Sequence, residues 1–335
     1  MTGDDPASAK KSGRTVIIGL SGPSSSGKTT LARLLRSIIE DEKRVRTFII
    51  HEDDFYHPDD KIPVTKTARG ELVQDWDTAG AIDIDFLASA LAYVRKNGRL
   101  PPRLQSKEDQ NEATNPGVEE ARIQDLSRSV RERIANEYSK PAKGEEEEKD
   151  EVPLTIAFLE GFLLFAPPAA EDASHVLRSV HDSIDLHLFL PAPYDIVKAR
   201  REARSGYVTI GPAPTPTAER AAHIGHSSVD LDEKDESAPQ NFWTDPPGYV
   251  DDIVWPRYVQ DHAWLLMPEG EDGTTQSLAA ASSGTRSESE LLKLAGQAVS
   301  VRTDTGVLVA PGKGRKPMTE ILDWAVDEIL GFLKV

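Results

Sequence analysis

The feature that most constrains this chain is a short loop rich in glycine and serine, Gly22-Pro-Ser-Ser-Ser-Gly27-Lys28-Thr29-Thr30. It satisfies the phosphate-binding pattern G-x-x-x-x-G-K-[ST]. An apolar, β-branched segment precedes it at 15–20, and leucines and isoleucines at helical spacing follow it over 28–39. A strand, a loop and a helix in this order attract phosphate, because backbone N–H groups and the helix N-terminus face the anion. We therefore predict a site for a nucleoside triphosphate.

Within this loop, the motif assigns particular tasks to two side chains. Lys28 is predicted to reach the β- and γ-phosphates, and the hydroxyl of Thr29 to hold Mg²⁺. The remaining residues of the loop are predicted to surround the phosphates: Gly22, Ser24, Ser25, Ser26, Gly27 and Thr30. The motif alone does not distinguish a GTPase, a motor and a small-molecule kinase.

Composition narrows the class of protein. The chain has 335 residues, a formal net charge of −17 and no cysteine. A surface this acidic argues against non-specific binding of nucleic acid, which depends on Lys and Arg. The polar N-terminus lacks the apolar core of a secretory signal, and no apolar run approaches the ~20 residues of a membrane span. We expect a cytoplasmic protein, with a nuclear location also compatible, and no nucleic-acid or membrane partner; no protein partner can be inferred.

Apolar segments alternate with helical patterns along the chain, which predicts an α/β fold with a mostly parallel sheet covered by helices on both faces. Five strands are predicted, at 15–20, 45–51, 154–159, 185–190 and 306–310. We expect one domain over 14–335 after a disordered tail at 1–13. The composition further predicts mobile polar insertions at 104–151, 211–240 and 268–300, the first with an amphipathic helix between Val118 and Ile134.

Acidic residues stand at the ends of two predicted strands, where an α/β sheet places its ligand chemistry. Asp53 and Asp54 follow the second strand, and Glu160 follows the third. One aspartate of the pair is a candidate base for a hydroxyl proton, although either could instead cap a turn. Glu160 stands where an acid that holds Mg²⁺ or its water is expected, or it is simply the first polar residue after a buried strand.

A basic helix and scattered aromatic residues supply further candidates. Arg200, Arg201 and Arg204 lie about one turn apart on a predicted helix. Arginine stabilises charge on a phosphoryl group in transfer, but a solvated basic helix face is also common. Trp76 and Tyr207 could offer aromatic faces to a ligand or belong to the core.

Taken together, these motifs resemble the nicotinamide riboside kinases, particularly the fungal members, a branch of the uridine kinase-like P-loop kinases. Besides the phosphate-binding loop, the resemblance rests on a series of segments in the same order: His51-Glu-Asp-Asp-Phe-Tyr56, Gln74-Asp-Trp-Asp77, Glu160-Gly-Phe162, Ala192-Pro-Tyr194, Lys198-Ala-Arg-Arg201 with Arg204, Phe242-Trp-Thr-Asp-Pro-Pro247 with Tyr249, and the final helix from Leu322. It covers roughly residues 14–104, 152–210 and 240–264, together with the C-terminal stretch.

The resemblance implies a reaction and an acceptor site. The reaction is the phosphorylation of the ribose 5′-hydroxyl of nicotinamide riboside, and of nicotinic acid riboside as a second substrate. Asp53 would be the general base and a Mg²⁺ ligand together with Thr29 and Glu160. Asp53, Asp77 and Arg201 would bind ribose hydroxyls. Trp76 and Tyr207 would enclose the pyridinium ring, with Tyr56 also at the substrate.

For the phosphate donor, the resemblance implies ATP. Lys28, Arg200 and Arg204 would contact its phosphates, and Gly312 and Gly314 would lie near the adenine. The expected sheet order is 2-3-1-4-5. Two alternatives stay open at this point: a uridine/cytidine kinase of the same fold, and a catalytically inactive nucleotide-binding regulatory protein.

Overall fold

The computed structural model describes residues 14–41, 44–104, 106, 115–138, 154–204, 206–209, 241–271, 276–281 and 287–335. The predicted tail at 1–13 and the predicted insertion at 211–240 lie outside the described residues. Among the described residues, none of the helices has the length and apolarity needed to cross a membrane.

A five-stranded parallel sheet forms the centre of the molecule, as predicted. Its strands in chain order are β1 (Thr15–Ser21), β2 (Val45–His51), β5 (Leu154–Gly161), β6 (Leu186–Phe189) and β9 (Leu308–Val309). The spatial order is β2-β5-β1-β6-β9. With the strands of two small hairpins left out of the numbering, this is the expected order 2-3-1-4-5.

The two hairpins were not predicted from the sequence. The first joins β3 (Val64–Lys66) to β4 (Leu72–Gln74), and the second joins β7 (Tyr207–Thr209) to β8 (Asn241–Trp243). Each strand has three residues, too few for alternation of apolar and polar side chains to be visible in the sequence.

Helices cover both faces of the sheet. They are α1 (Lys28–Ile39), α2 (Ile84–Asn97), α3 (Glu120–Tyr138), α4 (Arg178–His181), α5 (Tyr194–Glu202), α6 (Trp255–Asp261), α7 (Leu278–Ala281), α8 (Glu288–Ala295) and α9 (Met318–Leu333). A π-helical turn, Val250–Val254, leads into α6.

Alternate residues of β1 explain why two cores form. Val16, Ile18 and Leu20 face the core that contains α1, α3 and α9, whereas Ile17 faces the core that contains α2 and α6. Since successive side chains of a strand point to opposite faces, an uninterrupted apolar strand must be buried on both sides.

Two of the predicted insertions contribute to these cores where they are described. Val118, Val130 and Ile134, in and before α3, are buried against the face that carries α1, which confirms the predicted helix. Leu278 of α7 and Ala295 of α8 are buried in the opposite core. These parts of 104–151 and 268–300 are therefore packed helices and not only loops, because a few apolar side chains at helical spacing suffice to dock a short helix.

Candidate active site

The strands β1, β2 and β5 end side by side at one edge of the sheet, and the residues that follow or end each strand form a different part of the site. The phosphate-binding loop follows β1, a 3₁₀ turn at Glu52–Phe55 follows β2, and Glu160 and Gly161 end β5. The strand register aligns Ser21 with Gly161 and His51 with Glu160. Parallel strands share their carboxyl ends, so chemically active residues distant in the sequence meet here.

The phosphate-binding loop has the backbone shape that anion binding requires. Gly27 adopts a left-handed conformation (φ 101°), and so does Ser25 (φ 60°), which is uncommon for a residue with a side chain. The Oγ atoms of Ser25 and Ser26 are buried without a hydrogen-bond partner. Unpartnered polar atoms beside a helix N-terminus fit a bound phosphate, which offers acceptor oxygens.

Lys28, the first residue of α1, lies buried beneath this loop. Its Nζ donates to the carbonyl oxygens of Gly22 (3.1 Å) and Pro23 (3.0 Å). Burial lowers the pKa of Lys28, and the carboxylates of Glu160 and Asp53 partly oppose that shift. The ammonium group is thus held among acids at the floor of the loop.

Glu160 and Thr29 provide adjacent oxygen ligands suited to Mg²⁺. Thr29 Oγ1 donates to Glu160 Oε1 at 3.1 Å, and His51 Nδ1 lies 2.7 Å from the same oxygen. Burial works against the charge of Glu160, but the hydrogen bond from His51 keeps the pKa of that carboxyl below its ordinary value. Glu160 is therefore an ionised carboxylate.

The described residues contain no group of three or more His, Cys, Asp or Glu that could hold a metal by themselves. A Mg²⁺ site of the kinase type needs only one or two carboxylates, with phosphate oxygens and water completing the coordination. Thr29, Glu160 and Asp53 fit that donor set, and all three line the same cavity.

Glu52 supports the site from below through its carboxyl group. Its Oε2 accepts from the backbone N–H of Phe162 (2.6 Å) and of Leu163 (3.0 Å). Burial raises the pKa of Glu52 to about 8, against the opposing effect of these two backbone hydrogen bonds. It ties the turn after β2 to the turn after β5, and the close approach of the two turns leaves no room for a side chain at Gly161.

A buried arginine between two carboxylates forms the opposite wall. Arg201 of α5 binds Asp77 in a bidentate pair, with N–O distances of 2.8 Å and 3.1 Å, and also binds Asp245, with Nε–Oδ2 at 2.7 Å. Asp77 and Arg201 are 5% and 7% exposed. Burial disfavours the charge of Arg201, but Asp77 and Asp245 hold the pKa of this arginine above its usual range. Burial raises the pKa of Asp77, and Arg201 opposes that shift. The formal charge of the three groups is −1.

Aromatic side chains line the same cavity. Trp76 contacts Tyr56 edge-on, with ring centroids 5.3 Å apart, and Trp243 at 5.7 Å. Tyr56 in turn stacks on Phe162 at 6.5 Å. The guanidinium groups of Arg201 and Arg204 both lie 5.2 Å from the ring centroid of Tyr207.

The segment that carries Trp76 and Asp77 is fixed from behind by Tyr249. The Tyr249 hydroxyl donates to the carbonyl oxygen of Gln74 (2.9 Å) and accepts from the backbone N–H of Trp76 (3.0 Å). Asp75 is buried, and its Oδ2 accepts a hydrogen bond from Arg257 Nε at 2.8 Å. Asp75 therefore faces away from the site, whereas Trp76 and Asp77 both line the cavity.

One cavity collects most of the residues predicted from the sequence. It is lined by Ser24, Ser25, Gly27, Lys28, Thr29, Thr30, Asp53, Tyr56, Trp76, Asp77, Glu160, Arg201, Arg204 and Tyr207, together with Gly161, Phe162, Val208, Thr209 and Trp243.

Five of the predicted site residues do not line this cavity. Gly22 and Ser26 belong to the body of the phosphate-binding loop. Arg200 is exposed and donates to the carbonyl oxygen of Ser25 at 3.2 Å. Gly312 and Gly314 belong to a loop after β9, and Gly312 lines a separate depression with Pro193 and Gln297.

Sequence reasoning missed the contributions of His51, Phe162, Trp243 and Asp245. Each lies within one of the sequence motifs named above, but the motif did not predict a role for that residue. For two of them, a position near an assigned residue was the available signal: His51 lies two residues before Asp53, and Phe162 two residues after Glu160. Nothing in the sequence shows that Asp245 pairs with Arg201, 44 positions earlier.

Comparisons with known proteins point to one group of enzymes. The nicotinamide riboside kinase of Schizosaccharomyces pombe is 30% identical over 254 residues, which cover 76% of this chain and 82% of that relative. Those of Eremothecium gossypii (27%, covering 75% of this chain and 78% of the relative) and Saccharomyces cerevisiae (26%, covering 78% and 82%) are also similar. No protein-family model matches the chain.

Proposed function

Because this chain belongs to the nicotinamide riboside kinase family, we propose that it transfers the γ-phosphoryl group of ATP to the ribose 5′-hydroxyl of nicotinamide riboside, giving nicotinamide mononucleotide and ADP. The observation that carries the proposal is a single cavity that joins the phosphate-binding loop, Asp53, the Asp77–Arg201 pair and an aromatic wall. These are the parts required by a phosphate donor, a hydroxyl acceptor, a ribose and a cationic ring. The place of this step is the salvage of pyridine nucleosides for NAD synthesis.

The proposed chemistry divides the cavity into a donor side and an acceptor side. The loop and Lys28 bind the phosphates of ATP, with Arg204 at the rim. Arg200, which contacts the loop at Ser25, remains a proposed phosphate ligand. Thr29, Asp53 and Glu160 hold Mg²⁺, which neutralises phosphate charge when bound. Gly312 and Gly314 remain proposed neighbours of the adenine.

On the acceptor side, Asp53 accepts the 5′-hydroxyl proton while that oxygen forms a bond to the γ-phosphorus and the bond from phosphorus to the leaving oxygen of ADP breaks. Asp77 and Arg201 bind the ribose hydroxyls. The pyridinium ring lies against Trp76, Tyr56 and Tyr207, since aromatic faces attract cations. The net negative charge of the Asp77–Arg201–Asp245 group also favours a cationic substrate. Nicotinic acid riboside, which has the same pyridinium ring, is the proposed second substrate.

Coupled ADP release with purified protein, ATP and Mg²⁺ tests the proposal directly. We expect turnover with nicotinamide riboside and, at most, slow turnover with uridine or without an acceptor. Turnover with uridine alone would contradict the proposed acceptor, and no turnover with either would favour an inactive nucleotide-binding protein.

Replacing Asp77 by Ala is expected to raise KM for nicotinamide riboside by about 10- to 100-fold, because a hydrogen bond to a charged group contributes about 1.5–3 kcal/mol. Arg201 keeps Asp245 as a partner, so the variant should fold. Asp75→Ala is the matched control, since Asp75 is equally buried but pairs with Arg257 outside the cavity. An unchanged KM in steady-state kinetics would remove Asp77 from the ribose site.

Replacing Trp76 by Leu is expected to raise KM for nicotinamide riboside by at least about 10-fold, because a desolvated cation over an indole face gains about 2 kcal/mol or more. Trp76→Phe preserves an aromatic face, so its KM for nicotinamide riboside should stay within about 3-fold of the wild-type value, because phenylalanine also attracts cations, though less strongly than tryptophan. Equal KM values for the Leu and Phe variants would show that the ring is not recognised through its charge.

A further inference from the structure

His51 occupies a position that the proposed chemistry does not require and that packing alone does not explain. It ends β2, lies directly opposite Glu160 in the strand register, and is 1% exposed. Its Nδ1 is 2.7 Å from Glu160 Oε1. A strand end buried between two layers would ordinarily carry an apolar side chain, since burying polar groups costs free energy unless they are hydrogen-bonded.

This hydrogen bond orients Glu160, the candidate metal ligand with the most flexible side chain. Glutamate has one more rotatable bond than aspartate, so a glutamate at this strand end has more rotamers to lose when it binds an ion. His51 fixes Oε1 from β2, and Thr29 Oγ1 contacts the same oxygen from α1. A chain of contacts therefore runs from β2 through Glu160 on β5 to the hydroxyl at the start of α1.

Ligands of metal ions commonly depend on outer partners of this kind, and loss of such a partner weakens metal binding or activity by about 10- to 100-fold. We propose that His51 is a positioning residue that holds the Glu160 carboxylate in the orientation needed for the metal–nucleotide complex, an inference that rests on the proposed Mg²⁺ and ATP site. His51 itself touches neither the acceptor nor the phosphates: it does not line the cavity.

The test compares two substitutions at the same position. His51→Leu removes the donor and keeps an apolar side chain of similar volume, whereas His51→Asn retains an N–H donor near the position of Nδ1. Thr47→Val, a buried site earlier on β2, is the control for general damage to the strand. Thermal unfolding establishes that each variant folds.

The experiment measures the binding of metal ion and nucleotide, with no nicotinamide riboside present. Mn²⁺ affinity of the protein–ADP complex is measured by electron paramagnetic resonance, and ADP affinity in excess chelator by calorimetry. We expect His51→Leu to weaken Mn²⁺ binding by about 10- to 100-fold, with metal-free ADP affinity unchanged. His51→Asn should recover most of the Mn²⁺ affinity, and Thr47→Val should bind as the wild type does.

Three results would overturn the inference: wild-type Mn²⁺ affinity in folded His51→Leu, an equal loss in His51→Asn, or an equal loss of metal-free ADP binding. The last would mean that His51 supports the loop as a whole. Intact Mn²⁺–ADP binding by the wild type without turnover of nicotinamide riboside would contradict only the proposed acceptor, so the two failures are distinguishable.

Discussion

Replacing Asp53 by Asn is expected to lower kcat with nicotinamide riboside by about 10²- to 10⁴-fold, the range that a positioned general base contributes. The amide has the shape of the carboxylate but cannot accept the hydroxyl proton. Asp53 lines the cavity between the phosphate-binding loop and the aromatic wall, where the acceptor hydroxyl must meet the γ-phosphate. Single-turnover kinetics at saturating riboside and ATP measure the effect on the chemical step.

The neighbouring aspartate supplies a matched control for that variant. Asp54 belongs to the same 3₁₀ turn and is buried, but it does not line the cavity. Asp54→Asn should therefore change kcat much less than Asp53→Asn does. ATP affinity should fall only modestly in Asp53→Asn, because Lys28, Thr29 and Glu160 remain. Turnover close to wild type in Asp53→Asn would remove this residue as the base.

Replacing Arg201 by Met is expected to lower the free energy of unfolding by about 3–5 kcal/mol, the usual cost of breaking a buried ion pair from one side. Asp77 would then be left buried without its bidentate partner, and Asp245 would lose its own contact. Denaturant titration measures the change. Binding of nicotinamide riboside should be lost in the same variant, since the ribose site loses its donor.

Arg200→Met is the matched control on the same helix. Arg200 is exposed and donates to the backbone carbonyl of Ser25. Its replacement should lower the free energy of unfolding by well under about 1 kcal/mol, as is typical of surface charges. Any functional effect of Arg200→Met should appear in KM for ATP. Equal losses of stability in the two variants would contradict the assignment of Arg201 to the buried clamp.

Much of the fold was predictable because its signals are local. The strand β1, the glycine-rich loop and α1 follow one another within 25 residues, and each has an apolar pattern of its own. The end of α2 is also set locally, because Gly98 adopts the left-handed conformation that closes a helix (φ 62°). The short hairpins lacked such a signal. The helix α8 was missed although it has one, because Ser287 and Glu290 form a capping box at its start and three leucines follow.

The candidate site was predictable only in part, as its arginines illustrate. Arg200 and Arg201 are adjacent in the sequence and identical in type, but consecutive residues of a helix point about 100° apart. How α5 docks decides which of them is buried between Asp77 and Asp245 and which faces solvent. Docking depends on apolar contacts such as that of Val197, which join residues far apart in the chain.

The phosphate-binding loop, the acidic strand ends and the motifs of the family are all recognisable before folding, because each consists of a few consecutive residues. Three contacts become apparent only in the folded chain: His51 holds Glu160, Asp245 completes the clamp on Arg201, and Trp243 joins the aromatic wall. These contacts follow from strand register and helix docking. Both are set by burial of the two cores as a whole, and no short stretch of sequence records them.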